Sequence, residues 1–250
     1  MQSIPFLTPE VITGRDDHFI DHASIERPLH RDVVAPWQCL VADARIAGFE
    51  LAVASGYRNY QRQLQIWNDK AGGVRPVFDD CGELLDLTDC DEWTKAQAIL
   101  RWSALPGASR HHWGTDLDVY DRAVLPEGYQ LQLSADESDN LFGALHRWLD
   151  ERIASGAAHG FFRPYREDRG GVSPERWHLS YAPLALRYQR QLDPTALWQA
   201  LDSPALMLRS VIETHWPTIF ERYIRVPETL YPAEFASKLF MNGQHEEPTT

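Results

Sequence analysis

Apolar side chains recur at helical spacing over residues 31–48, at Val34, Trp37, Leu40, Val41, Ala44 and Ile46, and Gly48 is a natural stop. Leu51, Ala52 and Val53 then run without a break, the pattern of a short buried strand over 50–54, closed by Ser55-Gly56. Helical spacing resumes over 59–69 with Tyr60, Leu64 and Trp67. Residues 70–91 are rich in Gly and Asp and lose all periodicity, which predicts an inserted loop that could cover a cleft. A further helix is predicted over 92–102, broken at Pro106-Gly107, followed by a strand over 116–120. Residues 139–153 read as an amphipathic helix with Leu141, Leu145, Trp148 and Leu149 on one side. Phe161-Phe162 and 177–181 read as extended. Beyond Pro183 the chain is helical and rich in large apolar residues, including Leu197, Trp198, Trp216 and Phe220. This order predicts an α+β fold: a small antiparallel or mixed sheet with flanking helices, then a helical C-terminal extension. The expected division is an irregular arm over 1–30, a domain over 31–183 with its insertion at 70–91, the extension over 184–242, and a disordered tail over 243–250.

Composition narrows the classes of function. An apolar fraction of 44% with 9 Trp, 9 Tyr and 10 Phe supports a substantial core. A formal net charge of -12 argues against nucleic acid and anionic membrane surfaces as partners, since both call for clustered Lys and Arg. An acidic ligand would therefore need a local cationic anchor. Three cysteines, Cys39, Cys81 and Cys90, are too few for a disulfide framework, although Cys81 and Cys90 could pair in an oxidising compartment. No segment approaches the ~20 apolar residues of a membrane helix. The N-terminus lacks the basic start and apolar run of a signal peptide, so a cytoplasmic protein is expected.

The chemistry concentrates in two stretches, Ser-Arg-His-His-Trp-Gly-Thr-Asp-Leu-Asp at 109–118 and Glu-Arg-Trp-His at 175–178. His111, Asp118 and His178 can supply two nitrogens and one oxygen to a zinc ion and leave a fourth position open for water, the pattern of a catalytic site. Glu175 is close enough in sequence to His178 to act as general base on that water. His and Asp six residues apart share no helical face, so a turn at Gly114 followed by a strand is required. Pro174 puts Glu175 on the approach loop, with His178 pointing in from the strand and Trp177 facing the opposite side, into the core. A lone His-x6-Asp carries little information; the weight comes from several elements in order. His112 could replace His111 if the register slipped, but is read as a supporting or solvent-facing residue. The other histidines have no matching partners.

Together with Ser-Gly-Tyr-Arg-Asn-Tyr-Gln-Arg-Gln at 55–63, these blocks resemble the VanY-type D-alanyl-D-alanine carboxypeptidases, zinc peptidases related to VanX-type dipeptidases and to phage endolysin peptidases. The resemblance covers residues 31–183. It implies a small α+β domain with a central antiparallel sheet, shared with the hedgehog signalling domain. It also implies one zinc ion per chain on His111, Asp118 and His178, and catalysis by Glu175. Arg58 would contact the substrate carbonyl or carboxylate, while Gln63 and Ser109 would line the terminal-carboxylate pocket. Asn59 stands where that family usually has Ser.

The implied substrate is a peptidoglycan stem peptide or muropeptide that loses its terminal D-Ala. A cytoplasmic enzyme would meet recycled tetrapeptides, which favours L,D-carboxypeptidase activity. D,D-carboxypeptidase or dipeptidase activity is the alternative, and a non-catalytic zinc-binding module is a third reading that Glu175 argues against. A lytic endopeptidase would be expected to carry wall-binding repeats, and none is visible. An exposed stripe of Trp198, Trp216 and Phe220 would imply a homodimer, whereas ordinary core packing would account for them equally.

Overall fold

In the computed structural model, residues 7–201 and 203–236 are described. The expected tail over 243–250, the end of the extension over 237–242, the first six residues and His245 lie outside them.

The segment read as an irregular arm contains short regular elements. Thr8 caps a single helical turn, α1 (Pro9–Ile12), with Pro at its start. Strands β1 (Ile20–Asp21) and β2 (Leu29–His30) form an antiparallel pair. These pieces are too short to show periodicity, yet Leu7, Val11, Ile12 and Leu29 are buried in the main core. His30 caps α2 (Arg31–Ile46), which buries Val33, Trp37, Leu40 and Ala44. Strand β3 (Leu51–Ser55) leads through residues 56–59 into α3 (Tyr60–Ala71), capped by Asn59, whose carboxamide oxygen accepts from the Arg62 N–H. Residues 72–91 are largely irregular, with one bridge between Phe78 and Leu84. Helix α4 (Glu92–Leu100) follows, then β4 (Asp116–Asp121), α5 (Gly143–Ala154), β5 (Phe161–Phe162) and β6 (His178–Tyr181). The C-terminal part comprises α6 (Ala182–Arg190), α7 (Pro194–Leu201), α8 (Arg209–Thr214), α9 (Trp216–Ile219) and α10 (Ala233–Ala236). No helix among the described residues is long and apolar enough to cross a membrane.

The central sheet is four-stranded and antiparallel throughout, in the order β3-β4-β6-β5. Side chains alternate across it. Leu117, Val119 and Leu179 enter the apolar core, while Asp116, Asp118, His178 and Ser180 share the other face. The strand thus carries packing on one side and polar chemistry on the other.

The C-terminal helices do not form a separate body. Leu197, Leu201, Leu206, Ile212, Trp216 and Phe220 belong to the same apolar cluster as Trp37, Trp67 and Leu117. Trp216 and Phe220 are buried and Trp198 is half-buried against Trp216, so these aromatics serve core packing. The Asn68 side chain holds the backbone of Ala205 and Met207, and the Trp67 indole N–H donates to the Met207 carbonyl. Cys39, Cys81 and Cys90 are free thiols.

Candidate active site

The register of β4 on β6 sets Asp118 directly opposite His178. Opposed residues of an antiparallel pair project from the same face. His111 arrives from the other direction, on a 3-10 turn (Arg110–Trp113) that ends at Gly114. Gly114 has φ of 65°, and a Cβ there would lie 2.6 Å from the His30 backbone nitrogen, so the turn demands glycine. The three ligand-type side chains converge, with one candidate atom from each lying within 4.8 Å of the others.

Each histidine is oriented by a hydrogen bond on its far side. His111 Nδ1 is 2.9 Å from the Gly56 carbonyl oxygen, which fixes the proton there and leaves Nε2 facing Asp118 Oδ2 at 3.4 Å. His178 is turned the other way: Nε2 is 2.9 Å from Asp116 Oδ1, and Nδ1 faces Asp118 Oδ1 at 3.2 Å and Glu175 Oε2 at 3.4 Å. Two imidazole nitrogens, each ring held from behind, and the Asp118 carboxylate form a donor set that suits a zinc ion. Burial holds the His111 ring down at about 4, so it stays neutral and able to ligate. Burial opposes protonation of His178 as well, but the carboxylates of Asp116, Asp118 and Glu175 outweigh it and raise its pKa. Burial pushes the Glu175 carboxyl above its usual range, with Asp118 reinforcing the effect and His178 and Arg58 opposing it. That direction suits a proton acceptor working near neutrality.

Asp116 has no solvent exposure and is part of a network that the sequence reading did not single out. Its Oδ1 accepts from Arg110 Nε at 2.8 Å, and its Oδ2 accepts from the hydroxyls of Thr115 at 2.6 Å and Ser180 at 3.0 Å. Arg110 in turn donates to Ser180, Gln189 and Tyr231. A buried ion pair whose guanidinium makes four hydrogen bonds can hold an imidazole in one orientation. The usable signal was alternation along β4: Asp116 lies two residues before Asp118 and so shares its face.

Arg58 sits in the cleft beside Asp118 and Glu175. Its guanidinium donates to Gln63 Oε1 at 2.8 Å and Ser55 Oγ at 2.9 Å. A register shift between Val53 and Ser55 marks the end of β3 where Ser55 lies. Gln63 departs from its expected role. It is fully buried, and its amide nitrogen donates to the Ala104 carbonyl at 2.7 Å, so it holds Arg58 from behind instead of lining a substrate pocket. Ser109 does line the cleft. His112 is not solvent-facing: it is buried, accepting from the Gly107 N–H at Nε2 and contacting the Arg58 carbonyl at Nδ1. Trp177 also departs from the sequence reading. It lies ahead of β6 where the chain is still turning, its ring is stacked on Trp102 with centroids 6.3 Å apart, and both line the cleft. Tyr165 packs edge-on to His178 at 5.0 Å.

The cleft has a volume of about 840 Å³. The irregular stretch over 72–91 forms one wall through Arg75, Phe78 and Asp79, and residues 129–137 form another that pattern alone did not reveal. Glu137 organises that second wall by accepting the backbone N–H groups of Gln132, Leu133 and Ser134 and the Tyr129 hydroxyl.

The family model for VanY, D-alanyl-D-alanine carboxypeptidase, matches residues 26–184. The chain belongs to this family. It is a peptidase of the carboxypeptidase type. A D-alanyl-D-alanine carboxypeptidase of Enterococcus faecalis is 30% identical over 155 residues, covering 59% of this chain and 46% of that protein. An uncharacterized protein of Haemophilus influenzae is 45% identical over 104 residues, covering 40% of this chain and 70% of that one. Among solved structures, the vancomycin resistance D,D-pentapeptidase VanY in complex with Zn(II) is similar at 26% identity. The match covers 75% of this chain and 93% of that one, with a TM-score of 0.46. The matched family region ends before Gln189 and Tyr231, so the network behind Asp116 draws on residues outside it.

Proposed function

We propose that this protein is a zinc carboxypeptidase that releases the terminal D-Ala of peptidoglycan stem peptides, with tetrapeptides as substrates. The observation that carries this reading is the convergence of His111, Asp118, His178 and Glu175 in a cleft that also holds Arg58. His111, Asp118 and His178 would hold one zinc ion per chain. When bound, zinc supplies Lewis acidity that polarises the scissile carbonyl and makes water acidic enough to attack near neutral pH.

Glu175 accepts the proton of the attacking water and returns it to the departing amine of D-Ala. Burial has already raised the affinity of its carboxyl for that proton. Burial lowers the pKa of the Arg58 guanidinium, Asp118 and Glu175 oppose that shift, and Gln63 and Ser55 keep the side chain in place. It faces the negative charge that develops on the carbonyl oxygen or the terminal carboxylate. Ser109 offers a hydroxyl on the same wall.

The cleft walls favour a tetrapeptide. They carry both signs of charge, with Arg58, Lys70 and Arg75 set against Asp79, Asp80 and Asp136. Such walls suit a diaminopimelate residue, which bears an ammonium and a carboxylate, next to the terminal alanine. The family's description supports the second reading, a D,D-carboxypeptidase acting on pentapeptides.

A mass-spectrometric assay with zinc-loaded protein separates the two. Loss of one alanine from the tetrapeptide, abolished by Glu175→Gln, is the expected result. Loss from the pentapeptide alone would make the enzyme D,D-specific, and loss from neither would remove the catalytic reading.

A further inference from the structure

The protein carries a charge of -12, yet four basic side chains line the cleft. They differ in how they are satisfied, and Arg110 is paired with the buried Asp116. Arg58 is fastened by Gln63 and Ser55 beside the carboxylates of Asp118 and Glu175. Arg75 is paired with Asp69 at 3.2 Å. Lys70 has no carboxylate partner among the described residues. Its Nζ donates to Ser103 Oγ at 2.7 Å, and that neutral hydroxyl is its one acceptor among the described residues.

An ammonium has three N–H donors. A lysine in the last turn of a helix ordinarily extends into water, where it complements the helix dipole at little cost. Lys70 lies in the last turn of α3, but it lines the cleft. Burial pushes it down to about 8, with repulsion from Arg75 and Arg58 adding to the effect and Glu175 opposing it. A cation placed this way, with donors left over and two cations nearby, is poorly satisfied by the protein alone. An incoming anion would supply the missing acceptors and relieve the repulsion.

A single terminal carboxylate is matched by the fork of Arg58. We propose that Lys70, positioned by Ser103, forms a second anion subsite that takes a carboxylate on the side chain of the residue preceding the terminal D-Ala. This assignment rests on the carboxypeptidase reading for the orientation of the peptide. It makes Lys70 a specificity-determining residue that discriminates a diaminopimelate stem from a lysine stem, two side chains that differ by one carboxylate.

The test is calorimetric binding to the zinc-loaded Glu175→Gln protein, which removes turnover from the measurement. Two tetrapeptides are compared, identical except for diaminopimelate or lysine at the third position. The diaminopimelate peptide is expected to bind roughly 10-fold to 100-fold more tightly, the range of one charge-assisted hydrogen bond. Adding Lys70→Gln, which can keep the bond to Ser103, is expected to collapse that preference to within about threefold by weakening the diaminopimelate peptide alone. Lys70→Met should do the same, and Lys70→Arg should restore part of the preference. Equal weakening of both peptides would overturn the proposal, because Lys70 would then serve the terminal carboxylate or the cleft wall. No preference in the Glu175→Gln protein, or no binding of either peptide, would overturn it as well. D-Ala release by the wild-type enzyme is measured separately. Absence of release with Lys70-dependent binding intact would discard the hydrolase reading and leave the subsite standing.

Discussion

At the scale of single residues, the two histidines of the site differ in how they are held. His111 leans on a backbone carbonyl, which no substitution of a neighbour's side chain can remove. His178 leans on Asp116, whose charge is balanced by Arg110. Asp116→Asn should therefore weaken zinc binding by roughly 10-fold to 100-fold, the usual effect of losing the group behind a metal-bound histidine. Competition against a chromophoric chelator measures it directly, and an unchanged affinity would show that Asp116 does not orient His178. The same substitution leaves the Arg110 guanidinium buried without a counter-charge, so thermal stability should fall too, by ~3–5 kcal/mol.

At the scale of elements, α5 shows how a helix legible from its apolar stripe can still hide a titrating group. Leu145 and Leu149 mark the buried face, and His146 is fully buried next to them. Neither of its ring nitrogens has a hydrogen-bond partner among the described residues, and burial, with Arg163 and Arg176 adding repulsion, pushes it down to about 3. Its folded pKa lies below the unfolded value of 6.5, so the unfolded chain binds the extra proton first. The neutral ring's contribution to stability is complete above ~6.5 and declines at ~1.4 kcal/mol per pH unit as the pH falls towards the folded pKa. His146→Leu should flatten that part of the acid limb in denaturant titrations across this range. An unaltered limb would place the acid sensitivity elsewhere, for example at His30, also lowered by burial.

The elements also show what sequence patterning could and could not reveal. Helices α2, α3, α4 and α5 and the strands around 51, 116 and 178 follow from periodicity, because one face of each is continuously apolar. The helical turn at 9–12 and the two-residue strands β1 and β2 were hidden, since none spans a full period. His111, Asp118, His178 and Glu175 were legible as a motif, and the register of β4 on β6 explains why they meet. The burial of Gln63 and its bond to Arg58 were not legible, because sequence cannot tell a residue that lines a cleft from one that holds an arginine in it. Lys70 and residues 129–137 were not legible either. Their relevance depends on which way a helix end and a loop turn relative to the cleft, and local pattern does not encode this.

At the scale of the whole molecule, the part beyond the matched family region completes the site's foundations. Gln189 of α6 and Tyr231 reach Arg110, Arg110 holds Asp116, and Asp116 holds His178. On the other side, Trp67 and Asn68 of α3 are pinned to the segment around Ala205 and Met207, and the same helix carries Gln63 and Lys70. The central claim is that this scaffold presents one zinc ion through His111 Nε2, Asp118 and His178 Nδ1. It is tested most directly by a crystal structure of the zinc-loaded Glu175→Gln protein with a stem tetrapeptide, recorded across the zinc absorption edge. The account predicts a single anomalous peak bound by those three side chains, with the carbonyl before the terminal D-Ala directed at it. A peak on other residues, or His178 bound through Nε2 with Asp116 released, would contradict it.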